Sequence, residues 1–244
     1  MTPRVLRSVM ICLGALAVPP VAVEAAAPLK VCVLSGSDTY QSHLSLPPFE
    51  KWLEENFNIR CTHFEKRAVD DLPGLDQLDQ FDVVFIYIKR MKLAGPQLEQ
   101  FRKYATSGKP IVAVRTASHA VQTWLEFDQL VLGGNYKSHH PLGPVTKVDV
   151  VAPAAEHPIL AGVTLKSAKD SLYKNAGHAA DIQILLNGTI EGQATEPLAW
   201  TREVNGGRVF YTSLGAEETV ADPNFRRMLA NALFWTARRS TEPK

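Results

Sequence analysis

The feature that most constrains the fold is a short apolar segment that changes abruptly into small and polar residues. Ile111 to Val114 are apolar and mostly β-branched, which predicts a strand buried on both faces. Residues 115–119 are small or polar, and apolar residues then recur at helical spacing. A buried parallel strand that turns sharply into a helix presents its turn residues at the carboxyl end of the sheet, where open α/β proteins bind ligands. The segment therefore predicts an α/β fold with a functional site around this turn.

Strand-like and helix-like segments alternate over the first half of the chain. Residues 29–34, 59–64 and 81–88 predict three more strands, the last as a nearly continuous apolar run. Pro47 and Pro48 are predicted to open the helix between the first two strands. Such alternation is typical of right-handed β-α-β units and a parallel sheet.

The second half of the chain departs from this alternation. Residues 197–203 and 208–214 flank an Asn-Gly-Gly sequence, which predicts an antiparallel hairpin. Asp222 and Pro223 provide an N-cap and a first-turn proline for a final helix. No repeat or linker divides the chain. We therefore predict one α/β domain over residues 26–244, with three layers, a mainly parallel sheet and a late antiparallel hairpin.

Residues 1–25 have the pattern of a secretory signal peptide. Arg4 and Arg7 precede an apolar run over residues 9–18, and small residues around Ala25 suit signal peptidase. The run is too short to span a bilayer comfortably, although a retained anchor is the alternative. We therefore predict export to the periplasm or the cell exterior, with no stable membrane insertion after the signal is cleaved.

Charge and cysteine content exclude several classes of protein. Lys and Arg number 26 against 25 Asp and Glu, without a basic cluster, so we expect no nucleic-acid partner. Cys32 and Cys61 lie in predicted strands; a disulfide would fit an oxidising compartment, but we favour buried free thiols. No H-x-x-x-H or C-x-x-C pair and no glycine-rich phosphate loop occurs. The sequence assigns no metal and no cofactor, and it leaves the oligomeric state open.

Polar side chains follow several of the predicted strands and fill one later loop. The carboxyl ends of the first, third and fourth strands of a doubly wound sheet converge on one crevice. Two glycines at positions 133 and 134 allow the next loop to fold over that crevice. The candidate substrate-binding residues are Asp38, His43, Arg115, Ser118, Tyr136, His139 and Tyr173, and the candidate catalytic residues are His119 and His140.

Arg115 and the histidines each allow a functional and a structural interpretation. A buried guanidinium requires a partner, so Arg115 should meet either a ligand oxygen or an acid, such as Asp38 or Glu217. The dipole of a helix start lowers the pKa of His119, which suits a neutral base, a hydrogen-bonding group or a helix cap. The two loop histidines are adjacent and point in opposite directions on an extended chain, so they cannot easily bind one ligand together.

The segment Gly207–Gly215, GRVFYTSLG, is the most specific motif in the chain, and the terminal helix follows it. Together with residues 110–119 and 132–140 it resembles the ThuA-like (trehalose-utilisation) family. The resemblance implies a flavodoxin-like, class I glutamine amidotransferase-like fold without the amidotransferase cysteine. It also implies a link to sugar metabolism, often to 3-keto sugars. Two positions depart from the family pattern, because Arg115 and Ala216 stand where the family typically has histidine.

Three functions fit these observations. The first is an exported ThuA-like protein that acts on a carbohydrate such as a keto-sugar, with His119 or a loop histidine as acid or base and Arg115 holding a substrate oxygen. The second is a non-catalytic carbohydrate-binding or accessory protein. The third is a hydrolase with Ser118 as nucleophile, which ranks last because no G-x-S-x-G elbow is present. We expect no glutaminase activity, because the turn offers no activated thiol or hydroxyl in the nucleophile position.

Overall fold

The computed structural model describes residues 27–241 and 243–244, so the predicted signal peptide lies outside the described residues. In this part of the chain, nine strands form one sheet and two form a second, small one. The strands are β1 (Leu29–Gly36), β2 (Ile59–Glu65), β3 (Val83–Ile88), β4 (Ile111–Val114), β5 (Tyr136–His139), β6 (Thr146–Val150), β7 (Ser167–Ala168), β8 (Tyr173–Asn175), β9 (Gln183–Thr189), β10 (Glu196–Val204) and β11 (Gly207–Thr212). The helices are α1 (Ser42–Asn56), α2 (Gly95–Ala105), α3 (Glu217–Ala221) and α4 (Pro223–Thr236).

The large sheet is mixed, with a parallel half and an antiparallel half. Its strand order is β2-β1-β3-β4-β11-β10-β9-β6-β7. The pairs from β2 to β11 are parallel, in an order consistent with a flavodoxin-like fold. The pairs from β11 to β7 are antiparallel. The predicted α/β class is confirmed. The predicted late antiparallel hairpin is present as β10 and β11. The prediction of a mainly parallel sheet is wrong, because β9, β6 and β7 continue the antiparallel pairing across the other half of the sheet.

Hydrophobic side chains pack on both faces of the large sheet, and helices cover both. On one face, Phe49 of α1 lies 5.9 Å from Phe85 of β3 between ring centroids, and Phe234 of α4 joins the same core. On the other face, Phe101 of α2 packs against Trp124, which follows β4, at 6.1 Å. The strands between these layers carry buried side chains toward both.

Helix α1 begins earlier than the two prolines predicted. The backbone carbonyl of Gln41 accepts the N–H groups of Leu44 and Ser45, so the helix starts at Ser42 and Pro47 and Pro48 lie inside it. The hydroxyl of Ser42 also accepts the backbone N–H of Ser37 at 2.8 Å. The start of the helix is thereby tied to the end of β1.

The late hairpin and the last helix form where the sequence predicts them. Asn205 and Gly206 have φ angles of 50° and 83°, the left-handed pair that a two-residue turn between β10 and β11 requires. The side chain of Asp222 accepts the N–H groups of Asn224 and Phe225 at 2.7 and 3.1 Å, so it caps α4 as predicted.

Both described cysteines, Cys32 and Cys61, are free thiols, as expected, but only Cys32 is buried, whereas Cys61 is half-buried. None of the helices within the described residues is long and apolar enough to cross a membrane.

Candidate functional site

The turn after β4 has a strained backbone that a neighbouring glycine accommodates. Arg115, the first residue of the turn, has a φ angle of 52°, which is uncommon outside glycine. The 3₁₀ turn that it opens runs to His119. A Cβ atom at Gly215 would lie 2.6 Å from Val114 Cγ1 and 3.3 Å from Arg115 Cβ, so only glycine fits beside the turn. The Tyr211 hydroxyl donates to the Arg115 carbonyl at 2.8 Å and fixes its orientation.

The guanidinium of Arg115 is buried in a dense set of partners and is 1% exposed. Its Nη1 donates to the carbonyl oxygens of Ser171 and Ser213 at 2.9 and 2.5 Å. Its Nη2 donates to the hydroxyls of Ser171 and Tyr40 at 2.6 and 3.0 Å. The rings of Tyr40 and Tyr173 lie 4.8 and 4.3 Å from the guanidinium carbon. Arg115 therefore links the turn to three other segments of the chain.

Asp170 supplies the negative charge that balances Arg115. Its Oδ1 lies 3.6 Å from Arg115 Nη1 and accepts the N–H groups of Gly215 and Ala216 at 2.8 and 2.6 Å. Its Oδ2 accepts the hydroxyl of Thr219 at 2.5 Å. The buried acid expected as the structural alternative is thus present, and Arg115 has a protein partner for its charge.

The identity of that acid differs from the two residues suggested by the sequence. Asp38 is exposed and pairs instead with Lys66 at 2.6 Å. Glu217 lies in the first turn of α3. Asp170 reaches Arg115 because the segment between β7 and β8 crosses the carboxyl end of β4 and β11, an arrangement that no local pattern indicates. A direct contact between Arg115 and a ligand stays a prediction.

His119 lies at the end of the turn against aromatic side chains. Its ring stacks on Tyr136, with centroids 4.6 Å apart and planes at 22°, and Tyr173 lies 6.1 Å away. Its Nδ1 is 3.0 Å from the hydroxyl of Ser118. Burial lowers the pKa of His119 to about 3, and the positive charges of Arg90, Lys89 and Arg115 also lower it. The imidazole is therefore neutral at physiological pH and suits hydrogen bonding.

A cavity of about 260 Å³ opens beside this stacked pair. Residues of the turn form one wall, and residues before and within β5 form the other. Most of its lining side chains are polar: Ser118, His119, Glu126, Asp128, Gln129, Asn135, Tyr136 and Lys137, with Leu125 as the apolar exception.

Asp128 is a residue of this cavity that sequence reasoning missed. Its side chain is almost fully buried, and its Oδ2 accepts the backbone N–H of Tyr136 at 2.7 Å. Its Oδ1 has no hydrogen-bond partner in the described structure. Burial raises the pKa of Asp128 to about 7, so its carboxyl group holds a proton in part at neutral pH. The only available signal was an acid close before Gly133 and Gly134, which is too common to single out.

The remaining predicted site residues lie elsewhere or face other partners. His43 is exposed on α1. His139 is exposed, and its Nδ1–H donates to the carbonyl of His140 at 2.8 Å. The ring of His140 is buried, with Nδ1 2.9 Å from Gln193 Oε1 and Nε2 3.6 Å from Glu196 Oε1. The structure therefore brings together five of the predicted residues: Arg115, Ser118, His119, Tyr136 and Tyr173. The side chains of Asp38, His139 and His140 instead form their hydrogen bonds with residues outside this cluster.

Over residues 27–241 and 243–244, no group of three or more His, Cys, Asp or Glu side chains is placed to hold a metal ion.

Solved structures with the same fold include two ThuA-like proteins. One, from Parabacteroides merdae, is 19% identical, with a TM-score of 0.70 over 89% of this chain and 92% of that chain. Another, from Bacteroides uniformis, is 18% identical, with a TM-score of 0.64 over 88% and 94%. A β-galactosidase from Rahnella sp. R3 is 15% identical, with a TM-score of 0.58 over 84% of this chain and 30% of that enzyme. At these identities the likeness establishes the fold alone.

The sequence itself identifies the family. No curated protein matches the chain significantly. The model of the ThuA family, described as trehalose utilisation, matches residues 30–236, which include the turn, the cavity and both halves of the sheet. The chain therefore belongs to the ThuA (trehalose utilisation) family.

Proposed function

We propose that this ThuA-family protein binds a carbohydrate in the cavity beside Tyr136 and His119. The observation that carries the proposal is the stacked pair of rings, 4.6 Å apart, on the wall of a cavity whose other lining side chains are polar except for Leu125. Aromatic faces combined with a few convergent polar groups are typical of small-molecule sites. A sugar matches this composition, because its ring carbons pack on an aromatic face while its hydroxyls form hydrogen bonds.

The size of the cavity limits the part of the ligand that it holds. Its volume of about 260 Å³ lies just below the ~300–1,000 Å³ of pockets for drug-sized ligands. One sugar ring suits this space, whereas the second ring of a disaccharide would extend into solvent. The family's link to trehalose and keto-sugars makes these compounds the first candidates.

His119 and Ser118 have defined roles in this proposal. Because the pKa of His119 is lowered to about 3, its imidazole stays neutral and exchanges hydrogen bonds with sugar oxygens instead of storing a proton. Ser118 is held through its contact with His119 Nδ1. Turnover of a bound keto-sugar would identify an enzyme, and binding without turnover would identify the accessory protein that is the main alternative.

The test of sugar binding is Tyr136→Ala. We expect this change to weaken binding about tenfold, because the sugar loses the aromatic face on which it packs. A tenfold change corresponds to about 1.4 kcal/mol, roughly half of the free energy of burying a large apolar side chain. Isothermal titration calorimetry with glucose, trehalose and their 3-keto forms measures the effect. Trp235→Ala is the matched control, since this aromatic lines a different groove near the start of β11. Equal binding by wild type and Tyr136→Ala would contradict the proposed site.

A serine hydrolase is a second candidate, favoured by one distance. The Ser118 hydroxyl is 3.0 Å from His119 Nδ1, within reach for proton transfer. Against it, the low pKa of His119 makes the imidazole a weak base, and no described carboxylate is hydrogen-bonded to the His119 ring. Covalent labelling of Ser118 by a fluorophosphonate probe would favour this candidate over reversible sugar binding.

We also propose that the protein is exported and acts in the periplasm or outside the cell. The pattern of residues 1–25 supports this, with two arginines before an apolar run and small residues at its end. We expect N-terminal sequencing of protein purified from its native host to begin near Ala26 or Pro28. A sequence that begins at Met1 or Thr2 would contradict export by signal cleavage.

A further inference from the structure

A second cavity, of about 350 Å³, opens near the start of β11. Strand β11 runs parallel to β4, with Val209 beside Ile111. The cavity therefore lies at the amino ends of these strands, whereas His119 follows the carboxyl end of β4. Its lining includes Arg208, Trp235, Arg238, Arg239, Ser240 and Thr241, and none of the lining side chains in the described part of the chain is acidic. We call this cavity the arginine groove.

The positive charges of the arginine groove exceed the negative charges that face them. Glu203 Oε1 lies 3.1 Å from Arg238 Nη2 and 3.7 Å from Arg208 Nε, so one carboxylate serves two guanidiniums. The carbonyl end of α4 adds only about half a negative charge, and Arg208 Nη1 donates to the Trp235 carbonyl there at 3.0 Å. These two groups do not balance Arg208 and Arg238, even before the charge of Arg239 is counted.

The guanidiniums are held in place and are still accessible from the groove. Arg238 has a φ angle of 57°, at a position after the helix where glycine is usual. Its Nη2 also donates to the carbonyl of Gly206 at 2.9 Å. The guanidinium carbon of Arg208 lies 4.5 Å from the centre of the Trp235 ring. The side chains of Arg238 and Arg208 nevertheless stay 53% and 26% exposed, so a bound molecule can reach both.

We infer that the arginine groove binds the phosphate group of a small phosphorylated molecule. A phosphate carries up to two negative charges and points its oxygens in several directions, which suits guanidiniums that come both from β11 and from the end of α4. A planar carboxylate, in contrast, pairs with the fork of one guanidinium. The volume of about 350 Å³ falls within the ~300–1,000 Å³ of small-molecule pockets, so it holds more than the anion itself. This site is separate from the cavity beside His119.

The experiment measures the binding of inorganic phosphate by calorimetry, with acetate as the planar comparison. We expect phosphate to bind the wild type at least tenfold more tightly than acetate. Arg238→Gln should weaken phosphate binding about tenfold, because one charge-assisted hydrogen bond is lost. Arg67→Gln is the matched control: it removes the same charge from an exposed arginine after β2, and it should leave phosphate binding unchanged.

The indole N–H signals of the tryptophans locate the site in the wild type, without any substitution. The signal of Trp235 should shift in NMR spectra when phosphate is added. The signal of Trp200, which is buried and donates to the carbonyl of Leu132, should not. A Trp235 signal that stays in place, or phosphate binding that Arg238→Gln leaves unchanged, would overturn the inference. Acetate binding as tight as phosphate binding would overturn it as well.

Two further measurements test the nature of the ligand and the charge of the groove. Glucose 6-phosphate should bind at least as tightly as inorganic phosphate and should lose affinity in Arg238→Gln; its exclusion would contradict a phosphorylated molecule as the ligand. Glu242 follows the groove in the chain and lies outside the described residues. If Glu242→Gln binds phosphate and the wild type does not, an acid of the chain itself balances the arginines and the inference is wrong. None of these outcomes affects the proposed binding of sugar beside His119.

Discussion

Asp170→Ala should lower the free energy of unfolding by about 3–5 kcal/mol, the cost of removing one partner of a buried ion pair. The side chain of Asp170 is fully buried, 3.6 Å from the Arg115 guanidinium. Its loss leaves a buried positive charge unpaired and frees the N–H groups of Gly215 and Ala216. Urea denaturation of the wild type and the variant, followed by circular dichroism, measures the change.

Two matched variants sharpen this test. Glu218→Ala removes an acid whose ion pair with Lys169 is exposed, and it should change stability by less than about 1 kcal/mol. Asp170→Asn keeps an oxygen that can accept the two N–H groups but loses the charge, so its effect should fall between the other two. If Asp170→Ala is no more destabilising than Glu218→Ala, the Arg115 network is not what holds the turn.

Asp128→Asn should become more stable than the wild type as pH rises. The folded-state pKa of Asp128 is about 7, raised from an ordinary value of 3.8. The folded state therefore holds the proton more tightly than the unfolded state. The wild type loses stability progressively as the pH rises from about 4 to about 7, and the loss is complete above pH 7. At about 1.4 kcal/mol per pH unit, this loss is at most on the order of 4 kcal/mol.

Asparagine is neutral at every pH and avoids that loss. The difference in unfolding free energy between Asp128→Asn and the wild type should therefore shift in favour of the variant by on the order of 2–4 kcal/mol between pH 4.5 and pH 8. Urea denaturation at the two pH values measures it. Asp149→Asn provides the reference for an exposed carboxyl group, and an equal shift in both variants would show that Asp128 has an ordinary pKa.

Features with a local signal could be predicted from the sequence. The apolar strand Ile111–Val114 and the small residues after it identified the turn at the end of β4. The turn at Asn205 and the cap at Asp222 were likewise visible, because each depends on a few neighbouring residues. The cluster of Ser118 with the predicted catalytic His119 followed from the same turn.

Features that depend on distant packing could not be predicted. Nothing near Arg115 indicates that Asp170 will be its partner, because the pairing requires the segment before β8 to cross the sheet. Asp128 is exceptional only through its burial by a loop that lies further along the chain. The antiparallel half was underestimated because short strands such as Ser167–Ala168 leave almost no periodicity.

The network around Arg115 also bears on the order in which the chain folds. Its hydrogen bond to Ser213 spans 98 residues and that to Ser171 spans 56. Contacts between such distant positions form slowly, since the entropy of closing a long loop has to be overcome first. The strands from β1 to β4 can pair early, whereas the turn acquires its partners only after β11 has joined β4. We therefore expect the region proposed to bind a ligand to be completed late in folding.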